Sequence, residues 1–160
     1  MKNNKKYHDS TGMKLARFLL VILTLIYPVF MVMMSGAGLI ANRASYGEKI
    51  FVTGIMLIAS GAAMTLGTFL CIIRKNIPAV IFSGAGFIVC MLMLYRLVSH
   101  ADSNGWSDPL TMVSVSGMYA SRIAPSGIAV ILTVGISLIQ FFSYEAEQKR
   151  HELHREKTDT

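Results

Sequence analysis

The feature that most restricts this chain is a set of four long apolar runs, at about residues 18–40, 50–73, 79–98 and 123–144. A stretch of roughly 18 or more apolar residues, rising about 1.5 Å per residue as a helix, is long enough to cross a hydrocarbon core of about 30 Å. Lipid offers the backbone no water, so a crossing segment must satisfy its own N–H and C=O groups, and an α-helix does so internally. The runs therefore predict an all-α integral membrane protein, folded as an antiparallel four-helix transmembrane bundle over residues 18–144. What remains is a basic tail (1–17), a charged tail (145–160) and three loops, with no room for a separate soluble domain. Charged residues make up 15% of the 160, against about 25% in soluble domains, because the runs hold almost none of them.

The placement of the cations predicts the orientation. With the N-terminus inside, the inner side holds Lys2, Lys5, Lys6, Lys14, Arg17, Arg74, Lys75, Lys149, Arg150, Arg155 and Lys157, and the outer side only Arg43, Lys49, Arg96 and Arg122. Lysine and arginine accumulate on cytoplasmic loops, so both termini are expected in the cytoplasm, with the protein in the cell inner (plasma) membrane. The same distribution explains the net charge of +6 without nucleic acid: the positive residues flank the apolar runs and face lipid headgroups. A basic start followed by an apolar stretch and Ser35-Gly36-Ala37-Gly38 also describes a secretory signal, but the apolar part exceeds the 7–15 residues of a signal core. The first run is therefore read as a span.

Two prolines give local expectations. Pro28, near the middle of the first run, frees a backbone carbonyl and predicts a kink. Arg74-Lys75-Asn76-Ile77-Pro78 is the tightest connection, which makes the second and third spans antiparallel neighbours, with Pro78 in the first turn of the third. In the long third loop, Asn104-Gly105 signals a turn. Asp108-Pro109 reads as an N-cap and first helical residue of a short interfacial helix, on which Met112, Val115 and Tyr119 share a face. His100, Asp102, Trp106 and Asp108 are the candidate contact residues of this loop, with Trp106 suited to headgroup depth.

Within the spans the informative pattern is small residues four apart: Ala59, Ala63, Gly67 and Cys71 in the second span, Ala129, Thr133 and Ser137 in the fourth. Helices in lipid associate by close packing, and small side chains allow the approach. These are the candidate helix-packing residues, for contact within the bundle or with a second membrane protein or copy of this chain. All nine acidic residues lie outside the spans, which argues against proton-coupled transport, since proton relays use intramembrane ionisable groups.

Metal and catalytic patterns are weak. His151 and His154 are three apart, not the four that would put both on one helical face as in a zinc protease motif. The methionines late in span one (Met31, Met33, Met34), with Met91, Met93, Met112 and Met118, could supply soft ligands to copper, but flexible apolar packing is the simpler role. No nucleophile turn or phosphate-binding glycine loop occurs. No catalytic residue, metal site or cofactor is predicted. The partners implied are the lipid bilayer and a membrane protein or second copy, not nucleic acid. The leading reading is an accessory or assembly subunit acting through helix packing. A small-molecule or lipid facilitator of flippase type, oligomeric, is second, and a membrane enzyme using outer-loop residues is third.

Overall fold

The structure, a computed structural model, describes residues 11–106 and 114–156, with side-chain surroundings to residue 146. Every long element among them is helical: α1 (Thr11–Thr24), a π-helical segment (Leu25–Met33), α2 (Met34–Ala41), α3 (Arg43–Tyr46), α4 (Glu48–Ile72), α5 (Asn76–Ser103), α6 (Val115–Ile123) and α7 (Ser126–Glu156). The α1, π and α2 stretches form one continuous helix, Thr11–Ala41. Four helices, counting α6 and α7 together, are long and apolar enough to cross a membrane, with mean hydropathies from 1.9 to 2.4. The helices overrun the apolar runs that predict them. The 28 residues of α5 extend about 42 Å at about 1.5 Å per residue, so its polar last turns project past a core of about 30 Å.

Two chain reversals share one geometry. At the end of α4, Lys75 N–H donates to the Leu70 carbonyl at 2.9 Å and Arg74 N–H to the Cys71 carbonyl at 3.1 Å. At the end of α5, Trp106 N–H donates to Ala101 at 2.9 Å and Gly105 N–H to Asp102 at 3.2 Å. Both are Schellman caps, in which one left-handed residue turns the chain back and satisfies the last carbonyls. Gly105 (φ 62°) adopts that conformation without a Cβ penalty, whereas Arg74 (φ 64°) bears a cost of about 1 kcal/mol. The glycine-centred cap fits the turn expected from Asn104-Gly105 and places Trp106 back over α5.

α6 carries Val115 and Tyr119 of the expected short interfacial helix. It is preceded by Ser114 in an extended conformation, and Asp108 and Pro109 lie outside the described residues. It runs almost directly into α7, the two being separated only by Ala124 and Pro125. Pro125 has no N–H to continue the ladder, while its carbonyl accepts from Ile128 at 3.0 Å. α6 packs against α5 and the π segment, so its inner face belongs to the bundle.

The buried positions show how the helices meet. In α4 they are Ile50, Leu57, Met64 and Cys71, then Thr53, Ser60 and Gly67, then Gly54, Gly61 and Thr68, three series each stepping by seven. α7 repeats this with Ser126, Thr133 and Gln140, with Ala129 and Ile136, and with Val130 and Ser137. A seven-residue step falls only about 20° short of two full turns, so such positions stay on one seam, as in left-handed helix pairs. The first helix is different: Leu20, Thr24, Pro28, Val32 and Gly36 step by four. In an α-helix a four-residue step overshoots a turn by about 40°. The wider i→i+5 turns of the π segment absorb that overshoot and hold the stripe on α4.

Two core clusters result. One, at the end carrying the first and third loops, is built from large side chains including Leu39, Ile50, Leu57, Leu97 and Ile123, with Trp106 and Tyr46 against it. The other, at the end carrying the tails, is smaller in volume: Leu20, Cys71, Ala79, Ala129 and Ile136. Cys71 and Cys90 are both free, and each belongs to a different cluster.

Candidate functional site

Several glycines let helix backbones approach where a Cβ would not fit. A Cβ added to Gly54 of α4 would lie 2.8 Å from the Gly36 carbonyl oxygen, and one added to Gly36 would lie 2.7 Å from the Gly54 carbonyl oxygen. One turn-pair further along, a Cβ on Gly61 would meet the carbonyl of Pro28 at 2.8 Å. On the α5 side, a Cβ added to Gly67 would run into the Ser83 hydroxyl and the Ala79 carbonyl, and one added to Gly86 would lie 2.9 Å from the Ser60 carbonyl oxygen. The residue pairs run in opposite senses along the two helices, 54 with 36 but 61 with 28, and 67 with 83 but 60 with 86. Both neighbours of α4 are therefore antiparallel to it. Backbones this close gain dispersion contacts that longer side chains would prevent, which is the main source of helix association in lipid.

Three of the buried polar side chains, Thr24, Thr68 and Thr133, are linked between helices, whereas Thr53 and Ser60 donate to carbonyls of their own helix. The Thr133 hydroxyl donates to the Ala129 carbonyl at 2.8 Å. A hydroxyl carries one proton, so its 3.4 Å contact with Thr68 makes Thr68 the donor. The 3.0 Å contact between Thr24 and Thr68 is then donated by Thr24. One directed chain of hydroxyls thus links the first helix, α4 and α7. Cys71 adds a second α4–α7 contact, its thiol 3.7 Å from the Thr133 carbonyl. The buried side-chain oxygens of Ser83, Ser126 and Ser137, and both amide atoms of Gln140, have no hydrogen-bond partner among the described residues.

The small residues singled out in the sequence are distributed unevenly. Gly67, Ala129, Thr133 and Ser137 are buried, Ala63 is half-buried and Ala59 is exposed. The physical reason is the precession of a four-residue stripe around an α-helix: Gly67 and Cys71 face the interior, and two turns earlier Ala59 has rotated off the seam. Gly36, Gly54, Gly61, Gly86 and Thr68 also make interhelical contacts and stand outside the four-residue pattern. For Gly54, Gly61 and Thr68 the signal is a seven-residue repeat of small residues in α4, visible only once the period is known; Gly36 and Gly86 lie on the neighbouring helices and carry no such repeat.

At the loop end, His100, Trp106 and Tyr46 form an aromatic cluster. The Trp106 ring lies 4.6 Å from Tyr46 and 5.3 Å from His100, the latter edge-on. Trp106 is half-buried, while Asp102 is exposed and Asp108 falls outside the described residues. The Arg43 guanidinium stands 5.7 Å over the Phe51 ring nearby. The arrangement pins α3 and the end of α5 together. Among the described residues, no group of three or more His, Cys, Asp or Glu side chains comes close enough to hold a metal ion. The methionines also separate: Met33 packs on Gly61, Met91 and Met93 join the loop-end core, and Met31 and Met34 line a groove on the flank.

Compared with known proteins, the chain matches no family model, no curated sequence and no solved structure. Fold and composition define the class: a small all-α protein with four membrane-length helices, consistent with a polytopic membrane protein.

Proposed function

We propose that this chain is an accessory or assembly subunit of an inner (plasma) membrane, with both termini cytoplasmic, whose activity is helix contact. The observation that carries the proposal is how the interior is used. Glycines at 36, 54, 61, 67 and 86 bring backbones together, and the hydroxyl chain ties three helices. These contacts hold the bundle and support a role for its outer surface. A carrier would need a polar path between these helices, where backbone carbonyls already lie within van der Waals reach of neighbouring glycines. The cation distribution supports the orientation. Ala59 and Ala62 are both exposed on α4 beside larger exposed residues such as Met56 and Leu66, which suits the approach of another transmembrane helix.

The test is photo-crosslinking in native membranes from Ala59 or Ala62, with Ile81 on α5 as a control face. A discrete adduct from the α4 positions, absent from the control, is expected. A chain that forms no adduct and purifies as a lone monomer would contradict the proposal.

A further inference from the structure

A groove of about 440 Å3 opens on the flank of the bundle between the first helix and α6. Its deeper wall is apolar and comes from the first helix: Phe30, Met31 and Met34. Its other end is polar, formed by Ser35 with Tyr119 and Arg122 of α6. From Phe30 to Gly38 the wall extends about 12 Å along the helix, at about 1.5 Å per residue. Arg122 is exposed and directly precedes buried Ile123, where the fourth apolar run begins. The groove therefore leads from headgroup depth into hydrocarbon.

The geometry points to a binding site for one anionic glycerophospholipid, with its phosphate on Arg122 and an acyl chain along Phe30, Met31 and Met34. This inference rests on the membrane reading alone and not on the assembly role. The volume lies in the range of about 300–1,000 Å3 usual for ligand sites that combine an apolar body with few polar groups. A guanidinium presents parallel N–H donors that match two phosphate oxygens, and Tyr119, which lines the same groove, carries a hydroxyl able to donate a further bond. No carboxylate is among the described lining residues, so nothing there would meet the ammonium of a zwitterionic headgroup. Charge complementarity therefore favours a net-negative lipid such as phosphatidylglycerol.

Gly38 provides a clean probe of the site. It lines the groove, yet a Cβ added to it meets nothing within 4 Å, so a large side chain there fills the groove without touching the core.

The experiment is native mass spectrometry of the full-length, delipidated chain in detergent, titrated with phosphatidylglycerol, phosphatidylcholine or inorganic phosphate. Retention of one phosphatidylglycerol, in preference to phosphatidylcholine, is expected. Arg122→Gln should weaken it about tenfold through loss of a charge-assisted bond. Gly38→Leu should weaken it comparably. Gly84→Leu, also in open space but on α5, should leave it unchanged, which separates groove filling from general disturbance of the bundle. Circular dichroism of each variant confirms that the helices persist. Equal retention by the wild type, Arg122→Gln and Gly38→Leu would overturn the inference, as would equal affinity for phosphatidylcholine. Displacement of the lipid by millimolar inorganic phosphate would also overturn it, because the polar end alone would then account for binding.

Discussion

The first helix and α4 pack against each other yet obey different periods. α4 buries three interleaved series stepping by seven, ending in Cys71, Gly67 and Thr68, and remains α-helical over 25 residues. Its partner buries Leu20, Thr24, Pro28, Val32 and Gly36 at four-residue steps, then Leu39, with nine π-helical residues that contain Pro28 in the middle of the series. The difference teaches that a buried face in a membrane helix is a joint property of spacing and local pitch. Along a regular α-helix a four-residue step drifts by about 40° each time: the spacing stays buried over Ala129, Thr133 and Ser137 in α7 but is exposed at Ala59 in α4. Pro28 sits fully buried at the centre of the wide turns, with its own carbonyl against Gly61. The lost N–H of the proline and the close approach of the glycine therefore occur at the same level of the bundle.

The strongest way to break this comparison is to delete one exposed residue from each helix. Removing Ile55 from α4 turns everything beyond it by about 100° relative to the rest, so the interleaved seams no longer meet and no cooperative unfolding transition is expected. Removing Ile26 from the π segment takes one residue out of turns that already hold more residues than α-turns. The chain should relax toward α-geometry and lose only about 1 kcal/mol, within the range of ordinary single changes. Denaturation in mixed micelles, followed by circular dichroism, measures both. Equal damage from the two deletions would mean that the π segment is not what accommodates the four-residue stripe.

Overpacking is next in size. Gly67→Leu should destabilise the bundle by about 3 kcal/mol or more, because behind the Ser83 hydroxyl stand the Ser83 nitrogen and the Ala79 carbonyl of the neighbouring backbone, which cannot rotate away. Smaller again is the hydroxyl chain. Thr68→Val removes the central member, and about 0.6 to 1.5 kcal/mol of stability should go with it. Thr24→Val, which removes only a terminal donor, should cost less. A larger loss from Thr24→Val would reverse the donor direction deduced from the Thr133–Ala129 bond. The smallest effect belongs to Gly135→Ala in α7. The added methyl group has open space, so higher helix propensity should raise stability by up to about 1 kcal/mol, read as a small upward shift of the same denaturation midpoint.

Much of the architecture was legible in the residues. The four membrane-length helices follow from the apolar runs, the reversal at Arg74-Lys75 from its brevity, and the cap at Gly105 from its dipeptide. What was not legible is which side of each helix meets which neighbour. Ala59 and Gly67 look equivalent in a four-residue pattern, yet only Gly67 is buried, because pitch and precession are absent from a string of letters. A proline in the first run predicts a kink, but nothing in the run predicts that the disturbance spreads over nine residues. Pro125 was a visible signal that the surrounding apolar stretch obscured, and it divides α6 from α7. The flank groove was hidden for a different reason: it joins residues near 30–38 to residues near 119–122, and only packing brings them together.

The account depends most on four crossings, and site-directed labelling tests that directly. Single cysteines are placed at Asn42, Lys75, Asn104 and Tyr144 in a chain whose Cys71 and Cys90 are replaced by alanine, then treated in sealed membranes with an impermeant maleimide. Asn42 and Asn104 should react from one side, and Lys75 and Tyr144 only from the other. Labelling of Asn42 and Lys75 from the same side would contradict the account.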